Sequence, residues 1–492
     1  MLRKALVAAL MLTMVVTGVA SGQSISALPG GGWWTSAGIQ NVGSGSASVV
    51  LTAYPQLASD TTTYSASTTI PQDGSVTFLP GSTAAGTIDV GLPASFVGSM
   101  VVSSDQPLVA IGQVGNNVLA NPPLGTPGGY ASEMYRGMSA GAATISFPTV
   151  KNNFGGKTSF FYVQATGSDV TVVATIKTNS DGLAHTANYS IKANKSVLLS
   201  VGDFTPAIAS TSCGDANTSP CVGSLSVTAT GGSIVGVALE TDTSVAPATR
   251  VQAASMFAPT DAATSIYCPV FKNNYNHRYT GVTVQNTTGS DLTVYATLNA
   301  SAGGSGTYTA NMVVPGGASR TFSSQIPNAG GFPDGAYGSM VITSTGNIIA
   351  AVNEANFNAA PFKATTYTCF AAGAATQKIA LPQVKENFGP NITGVSVQNV
   401  GDADTNITAK YTCAGTTYTA NAIALAKGAT FTYYNPSNAA SGVTWTATPG
   451  ALPNGSLCAV VVTANQSIVG IAQEAMPSGS LNTKNYEGFN LP

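Results

Sequence analysis

Lysine and glutamate residues recur at regular intervals in a chain that carries few charges. Only 8% of its 492 residues are charged, against about 25% in an ordinary soluble domain. A Pro-x-x-Lys segment occurs three times, and a Glu in a later predicted strand follows each copy. The lysines are Lys151, Lys272 and Lys385, and the glutamates are Glu240, Glu354 and Glu474. The simplest chemistry for such a set is an ion pair in each copy.

An earlier and less similar copy of the surrounding sequence, which precedes Lys151 in the chain, supports that interpretation. It lacks the Lys motif and has Val114 where the Glu should be, so both members are missing together. We therefore predict structural ion pairs between Lys151 and Glu240, Lys272 and Glu354, and Lys385 and Glu474. An alternative is an isopeptide bond, which needs an Asn as third partner. Asn353 precedes Glu354, but Leu239 and Gln473 take its place elsewhere, so the ion pair is favoured.

The six cysteines are expected to form disulfides, because the chain carries an export signal and no CxxC or Cys/His cluster that would bind a metal. Cys268 and Cys369 stand where the preceding copy has Phe147 and Met256. A pair of positions that changes together indicates two neighbours in a core. The expected pairing is in chain order: Cys213 with Cys221, Cys268 with Cys369, and Cys413 with Cys458, although six cysteines allow 15 connectivities.

Nothing in the sequence indicates catalysis. Only His185 and His277 are present, and neither has an acidic sequence neighbour that would suggest a catalytic triad. No nucleophile elbow, zinc-protease motif, phosphate-binding loop or dinucleotide fingerprint occurs. We expect a protein that is not an enzyme, with no catalytic residues, no cofactor and no metal.

Trp33 and Trp34 form the most unusual candidate contact. An exposed Trp pair can stack on a sugar ring or dock into a neighbouring subunit. The alternative is that one or both side chains close the open end of the first domain. The pair is therefore a possible ligand or subunit contact, and the end-closing role is the favoured interpretation.

The elements that must position these residues repeat four times. A Gly-Ser pair begins a strand at Gly98, Gly223, Gly338 and Gly455, at spacings of 115 to 125 residues. Self-similarity of this length indicates tandem domains. The predicted organisation is a signal peptide followed by four repeats, at residues 1–22, 23–140, 141–260, 261–374 and 375–492. We name the four domains repeat 1 to repeat 4.

Short strands fill each repeat. Segments such as Leu292-Thr-Val-Tyr-Ala-Thr-Leu298 alternate apolar and small polar residues, as half-buried strands do. About seven such segments fit into each repeat, with Gly, Asn, Asp and Ser between them. The prediction is an all-β chain of four tandem Ig-like antiparallel β-sandwich domains. Short connections between the domains predict an elongated rod.

The N-terminus predicts export. Arg3 and Lys4 precede an apolar stretch and then small residues, the layout of a cleaved signal peptide. The apolar stretch is about 12 residues long, whereas a membrane-spanning helix needs about 20. We therefore expect no membrane span after cleavage. With a pI near 5.7 and no basic run, a nucleic-acid partner is not expected either.

In architecture and composition the chain resembles tandem Ig-like surface proteins of bacteria, including subunits of S-layers and cell-surface fibres. The resemblance implies a secreted, extracellular or cell-surface protein. The leading hypothesis is a non-enzymatic structural protein that self-associates into a surface layer or an extracellular fibre. The alternative is an adhesin or carbohydrate-binding protein that contacts cell-surface polysaccharide through Trp33 and Trp34. Sheets or filaments from the purified chain would favour the first hypothesis.

Overall fold

The computed structural model describes an all-β protein built from antiparallel sheets. Among the described residues the only helical elements are 3₁₀ turns, at Val201–Asp203, Pro259–Asp261 and Ala372–Ala374. The described residues are 7–8, 28–29, 32–84, 86–117, 130–180, 183–242, 250–323, 331–356, 363–389, 391–434, 436, 441–475 and 483–492. Most of the predicted signal peptide, 1–22, lies outside them.

Repeats 1 and 2 each contain two separate sheets. In repeat 1 the strand orders are β7-β3-β4 and β6-β5-β2-β8-β9, and β1, from the predicted signal peptide, pairs with the outer side of β7. In repeat 2 the strand orders are β10-β15-β12-β13 and β14-β11-β16-β17. Among the described strands of these repeats, β5 and β6 pair in parallel and the other pairs are antiparallel. The strands are β1 (Val7–Ala8), β2 (Trp33–Asn41), β3 (Ala47–Pro55), β4 (Tyr64–Ile70), β5 (Ser75–Phe78), β6 (Thr87–Ile88), β7 (Gly98–Ser104), β8 (Leu108–Asn117), β9 (Tyr130–Arg136), β10 (Thr144–Lys151), β11 (Lys157–Thr166), β12 (Val170–Thr178), β13 (Ala184–Ile191), β14 (Ser196–Ser200), β15 (Val222–Thr230), β16 (Ser233–Asp242) and β17 (Val251–Ser255).

In repeats 3 and 4 one 20-residue strand joins the two groups of strands. The first half of β23 pairs with β18 and β20, and its second half pairs with β19 and β24. Strand β32 does the same in repeat 4. The strands are β18 (Ala263–Asn273), β19 (Tyr279–Asn286), β20 (Leu292–Ala302), β21 (Thr307–Val314), β22 (Ser319–Ser323), β23 (Ala336–Ala355), β24 (Ala364–Thr368), β25 (Phe370–Ala371), β26 (Thr376–Glu386), β27 (Ile392–Asn399), β28 (Thr405–Cys413), β29 (Thr416–Thr419), β30 (Ile423–Leu425), β31 (Thr430–Tyr433), β32 (Ser456–Ala475), β33 (Thr483–Glu487) and β34 (Phe489–Leu491).

Alternation of residue types explains how each sheet contributes to a core. Along β12 the residues are alternately buried and accessible, so Val172, Ala174 and Ile176 point inward. These side chains share one core with Phe161 and Val163 of the other sheet. Burying each of the Val, Ile and Phe side chains stabilises the fold by about 1.5–3 kcal/mol.

The four repeats form a closed ring, which corrects the prediction of an elongated rod. The strands β9, β17, β24 and β33 each come late in their repeats, and they pack against one another in cyclic order, with β33 returning to β9. Repeat 1 therefore contacts repeat 4: Met134 belongs to the core of repeat 4, and the Arg136 guanidinium lies 5.0 Å from the centre of the Phe489 ring.

The interfaces of the ring are formed by equivalent residues. Repeats 3 and 4 each insert two apolar side chains of one strand into the core of the preceding repeat, and repeat 1 inserts its pair into the core of repeat 4. The equivalent pair of repeat 2 packs in a separate cluster with Trp33, between repeats 1 and 2. A head-to-tail contact of this kind closes into a ring when its rotation allows. The pairs are Val109 and Ile111, Val235 and Val237, Ile349 and Ala351, and Val469 and Ile471.

The recurrent Gly-Ser pair joins neighbouring repeats. The Ser99 hydroxyl donates a hydrogen bond to Asn194 O at 2.6 Å, Ser224 donates to Gly317 O at 2.8 Å, and Ser339 donates to Gly428 O at 2.7 Å. The preceding glycine is required because the backbone approaches closely. A Cβ at position 338 would lie 1.9 Å from Asn299 O. In repeat 4, Ser456 donates to its own Pro453 O, so the seam that closes the ring lacks this link.

We expect the mature chain to be compact in solution. A folded chain of about 470 residues has a radius of gyration of about 23 Å, and a rod of four end-to-end domains would exceed that value about twofold. Small-angle X-ray scattering of the purified monomer measures the difference. A radius of gyration near that of a rod would contradict the closed ring.

Candidate functional site: buried charge clusters and two junction cavities

Each predicted Lys and Glu pair lies within ion-pair distance. The Nζ to carboxylate distances are 2.8 Å for Lys151 and Glu240, 2.8 Å for Lys272 and Glu354, and 3.1 Å for Lys385 and Glu474. The side chains of all six residues are at most 13% exposed. These pairs are therefore buried, and the geometry is that of a salt bridge and a hydrogen bond combined.

Local strand register places the pair in the same way each time. The backbone N–H of Lys272 donates to the Thr280 hydroxyl at 3.0 Å, and Thr280 lies directly opposite Glu354 on the neighbouring strand. A hydroxyl residue at this position therefore brings the Lys strand beside the Glu strand. The equivalent hydroxyl residues are Ser159 in repeat 2 and Thr393 in repeat 4.

Each of the three carboxylates also binds a second cation, which the sequence did not predict. Lys157 lies 3.2 Å from Glu240, Arg278 lies 2.5 Å from Glu354, and Lys484 lies 2.7 Å from Glu474. Lys157 and Arg278 occupy equivalent positions, but repeat 4 has Asn391 there and takes its cation from the late strand β33. The first cations were identified because they recur at the same position in each repeat. The second cations do not share one position, so the sequence carries no such signal for them.

The paired charges shift the acidity of these groups. Burial raises the pKa of Glu240, but the charges of Lys151 and Lys157 outweigh it, and the pKa falls to about 2. The pKa values of Glu354 and Glu474 are lowered to about 2 by the same balance. Burial lowers the pKa of Lys157 and Lys484 to about 8. All three carboxylates are therefore ionised at neutral pH.

In repeat 1 an acid is present, but on the opposite strand of the same ladder. Val114 pairs with Glu133, at the position that Gln252, Thr365 and Lys484 occupy in the other repeats. Glu133 is fully buried, and burial raises its pKa well above the usual range. It accepts hydrogen bonds from two other repeats: its partners are Thr365 Oγ1 at 2.5 Å, Thr366 N at 2.7 Å and Asn485 N at 2.5 Å. Glu133 therefore links repeats 1, 3 and 4.

The tryptophan pair is not an exposed contact surface. Trp33 is 3% exposed and packs between repeats 1 and 2, in the same cluster as Phe160, Leu198 and Leu239. Its Nε1 donates to Pro29 O at 3.0 Å. Trp34 is half-buried and lies over Gly115, where a Cβ would come 2.3 Å from the indole. The buried Trp33 agrees with the favoured interpretation that the pair closes the end of the first domain, and it argues against the alternative of a Trp33 and Trp34 pair stacked on a ligand.

The six cysteines form three disulfides in the predicted chain order. Cys213 bonds Cys221, Cys268 bonds Cys369, and Cys413 bonds Cys458. Phe147 and Met256, the aligned pair in repeat 2, belong to one core cluster. Three disulfides favour a protein outside the reducing cytoplasm.

Over the described part of the chain, no group of three or more His, Cys, Asp or Glu side chains is arranged to hold a metal, and no helix is long and apolar enough to span a membrane.

The histidines have structural surroundings. His185 is 2% exposed, and its Nδ1 lies 2.6 Å from Pro206 O. His277 is exposed, and it lies in a turn with a positive φ of 60°.

Two cavities lie at equivalent junctions of the ring, each beside a charge cluster. A cavity of about 190 Å³ separates repeats 2 and 3, and one of about 510 Å³ separates repeats 3 and 4. The larger one is lined by Arg278, Lys363 and Glu474, and by Tyr275, Tyr337 and Tyr434. A cavity of this size accommodates a small organic molecule.

The comparisons with known proteins leave the family of the chain open. No family model and no curated protein match it. Among solved structures, the crystal structure of Thermotoga maritima 1070 aligns with 23% of this chain and 96% of that chain, at 11% identity and a TM-score of 0.19. A similarity of this size supports no conclusion about fold or function.

Loss of one buried carboxylate should destabilise the ring strongly. Glu354→Gln leaves Lys272 and Arg278 buried without a negative partner, and breaking such a cluster costs about 3–5 kcal/mol. Urea denaturation of the oxidised protein measures the change. The matched control is Asp169→Asn, which breaks the exposed pair with Lys192 at 2.7 Å and should leave the midpoint nearly unchanged. Equal midpoints for wild type and Glu354→Gln would contradict a structural role for the cluster.

Stability should fall on acidification between about pH 4.5 and pH 2. The unfolded chain protonates Glu240, Glu354 and Glu474 near their ordinary pKa of 4.5, whereas the folded chain holds them ionised down to about pH 2. The unfolded state then binds more protons, which costs the fold roughly 2–3 kcal/mol per carboxylate. Glu133, with its raised pKa, acts in the opposite sense but is a single group. Urea midpoints measured from pH 6 to pH 2.5 test this. A flat profile would contradict it.

Proposed function

We propose that the protein is a secreted, non-enzymatic structural protein whose copies assemble into a cell-surface layer or extracellular fibre. In this proposal each repeat is an Ig-like β-sandwich, and the ring of four is the subunit. The observation that carries the proposal is the uncharged, unpaired outer edge of two strands, β4 and β21.

The surface of the ring has few charges. Most cations in the described part of the chain are buried or half-buried, and the exposed ones are Lys192, Lys410 and Lys427. The outward residues of β12 are Thr171, Val173 and Thr175. A surface of hydroxyl and small apolar groups can pack against another copy without burying ions.

Edge strands β4 and β21 present backbone groups that a further strand can pair with. They contain 7 and 8 residues, with no charged residue and no proline. Among the described residues, no strand pairs with their outer sides. Soluble proteins protect such edges with Lys, Pro, bulges or covering loops, because an open edge pairs with other chains.

The corresponding edges of repeats 2 and 4 are covered. Thr186 of β13 exchanges backbone hydrogen bonds with Thr205 at 2.9 and 3.0 Å. In repeat 4 the edge is interrupted at Ala420, which pairs with Trp445. Of these equivalent edges, the open ones belong to repeats 1 and 3, which are opposite each other in the ring. In the mature chain, loss of β1 with the predicted signal peptide also uncovers the outer side of β7. A subunit with two opposite pairing edges is bivalent, and a bivalent subunit forms a chain or a layer.

The test is assembly of the purified mature chain, followed by negative-stain microscopy and light scattering. We expect filaments or sheets that grow with concentration, and their loss when Lys is placed on both open edges, as in Ser67→Lys/Thr309→Lys. The exposed side chains of Ser67 and Thr309 make both substitutions compatible with the fold.

The matched control places the same two charges on a central strand, as Thr228→Lys/Thr230→Lys on β15, where both positions are exposed. We expect the control to assemble like the wild type. Wild-type protein that stays monomeric at all concentrations would overturn the proposal. Equal loss of assembly in the control would show that packing of sheet faces, and not edge pairing, drives assembly.

A further inference from the structure

We propose that the cavity between repeats 3 and 4 is a binding site for an acidic pyranose, a hexuronic acid or a glycan that ends in one. This site is independent of the proposed assembly edges, because neither β4 nor β21 contributes a residue to it. The proposal rests on the shape of the cavity, on one buried carboxylate oxygen that has no partner, and on the charges and aromatic rings of its wall.

Each of three junctions of the ring has three equivalent positions, on three neighbouring strands. The residues at these positions differ from one junction to the next. Between repeats 1 and 2 these positions hold Phe160, Leu198 and Leu239, which fill the space together with Trp33. Between repeats 2 and 3 they are Gly281, Thr321 and Asn353, and between repeats 3 and 4 they are Gly394, Thr432 and Gln473. Of these three junctions, the first is packed with apolar side chains, and small and polar residues line a cavity at the other two. The fourth junction, between repeats 4 and 1, holds a separate cavity of about 370 Å³ lined by Arg136, Lys378 and Phe489.

One polar atom of the cavity wall lacks a hydrogen-bond partner. Lys385 and Lys484 both bind Oε1 of Glu474, and Oε2 of Glu474 is buried without a partner among the described residues. In repeat 3, by contrast, both oxygens of Glu354 are used, one by Lys272 and the other by Arg278. A buried carboxylate oxygen without a donor is costly. A hydroxyl group of a ligand would supply that donor.

The positive side of the cavity supplies a partner for a carboxylate. Lys363 lines the cavity and forms no salt bridge with the described acidic residues. Arg278 is close enough for its charge to lower the pKa of Lys363, after the larger effect of burial. Lys272 and Arg278 are matched only by Glu354, and Glu474 is already bound by two lysines. Lys363 therefore adds a positive charge that the cluster does not neutralise, and an anionic ligand would balance it.

Aromatic rings give the site a surface for the carbon face of a sugar. The Tyr275 and Tyr337 rings lie with centroids 4.8 Å apart, and Tyr434 lines the same cavity with 54% of its surface exposed. Tyrosine combines an apolar ring face with a hydroxyl group. Ring faces, an acceptor that needs a hydroxyl donor and an unneutralised ammonium together match a pyranose that carries a carboxylate.

Calorimetric titration at pH 7 with D-glucuronate, D-glucose and acetate tests the site on the intact chain. We expect glucuronate to bind at least tenfold more tightly than glucose or acetate. Lys363→Met should remove the preference for glucuronate over glucose, and Tyr434→Ala should weaken the binding of both sugars. The matched control is Ser323→Ala, which alters the position equivalent to Tyr434 in the smaller cavity and should leave glucuronate binding unchanged. Unchanged thermal midpoints establish that the variants are folded.

Three results would overturn the proposal. One is the absence of glucuronate binding at millimolar concentration, and another is equal affinity for glucuronate and acetate, which would indicate a plain anion site. The third is glucuronate binding that Lys363→Met and Tyr434→Ala leave unchanged. Because the assembly experiment uses Lys substitutions on β4 and β21, failure of one proposal leaves the other standing.

Discussion

The late strand of each repeat is buried where the four repeats meet, and this burial limits which residues the strand can carry. Each of β9, β17, β24 and β33 has neighbours from its own repeat and from adjacent repeats. A position at such a centre is removed from water, so every polar group there needs a partner within the ring. Glu133 illustrates this, because its carboxylate accepts hydrogen bonds from the backbone or side chains of repeats 3 and 4.

This constraint gives a physical reason for joining the four repeats in one chain. A symmetric tetramer would place the same residue at the axis four times, and four buried glutamates or four buried lysines would repel one another. Covalent linkage allows the four equivalent positions to differ. They hold Glu133, Gln252, Thr365 and Lys484, one acid, one base and two neutral groups. Burial lowers the pKa of Lys484, and the charge of Glu474 opposes this effect and favours the protonated amine.

The features predictable from sequence were those that repeat at the same position. The first three cations and their glutamates recur in register, and the Cys268 and Cys369 pair replaces an aligned apolar pair. Closure of the ring leaves no such signal. Val469 and Ile471 fill the core of repeat 3, but as apolar residues in a strand they look like residues of their own repeat's core. The burial of Trp33 agrees with the favoured interpretation that it closes one end of the first domain, but nothing in the sequence indicates that it packs there against repeat 2.

The residues at the three equivalent positions vary among the junctions, and this variation shows which side chains the ring needs in order to close. Phe160, Leu198 and Leu239 show that apolar side chains at these three positions give a closed, well-packed junction. Replacement of such residues by Gly, Thr and Asn or Gln forgoes several kcal/mol of apolar burial. A protein that served only as a rigid building block would gain stability from filling all the junctions in the same way. The cavity between repeats 3 and 4 therefore fits the proposed ligand site better than a purely architectural role, and the ring is the scaffold that holds both halves of that cavity in place.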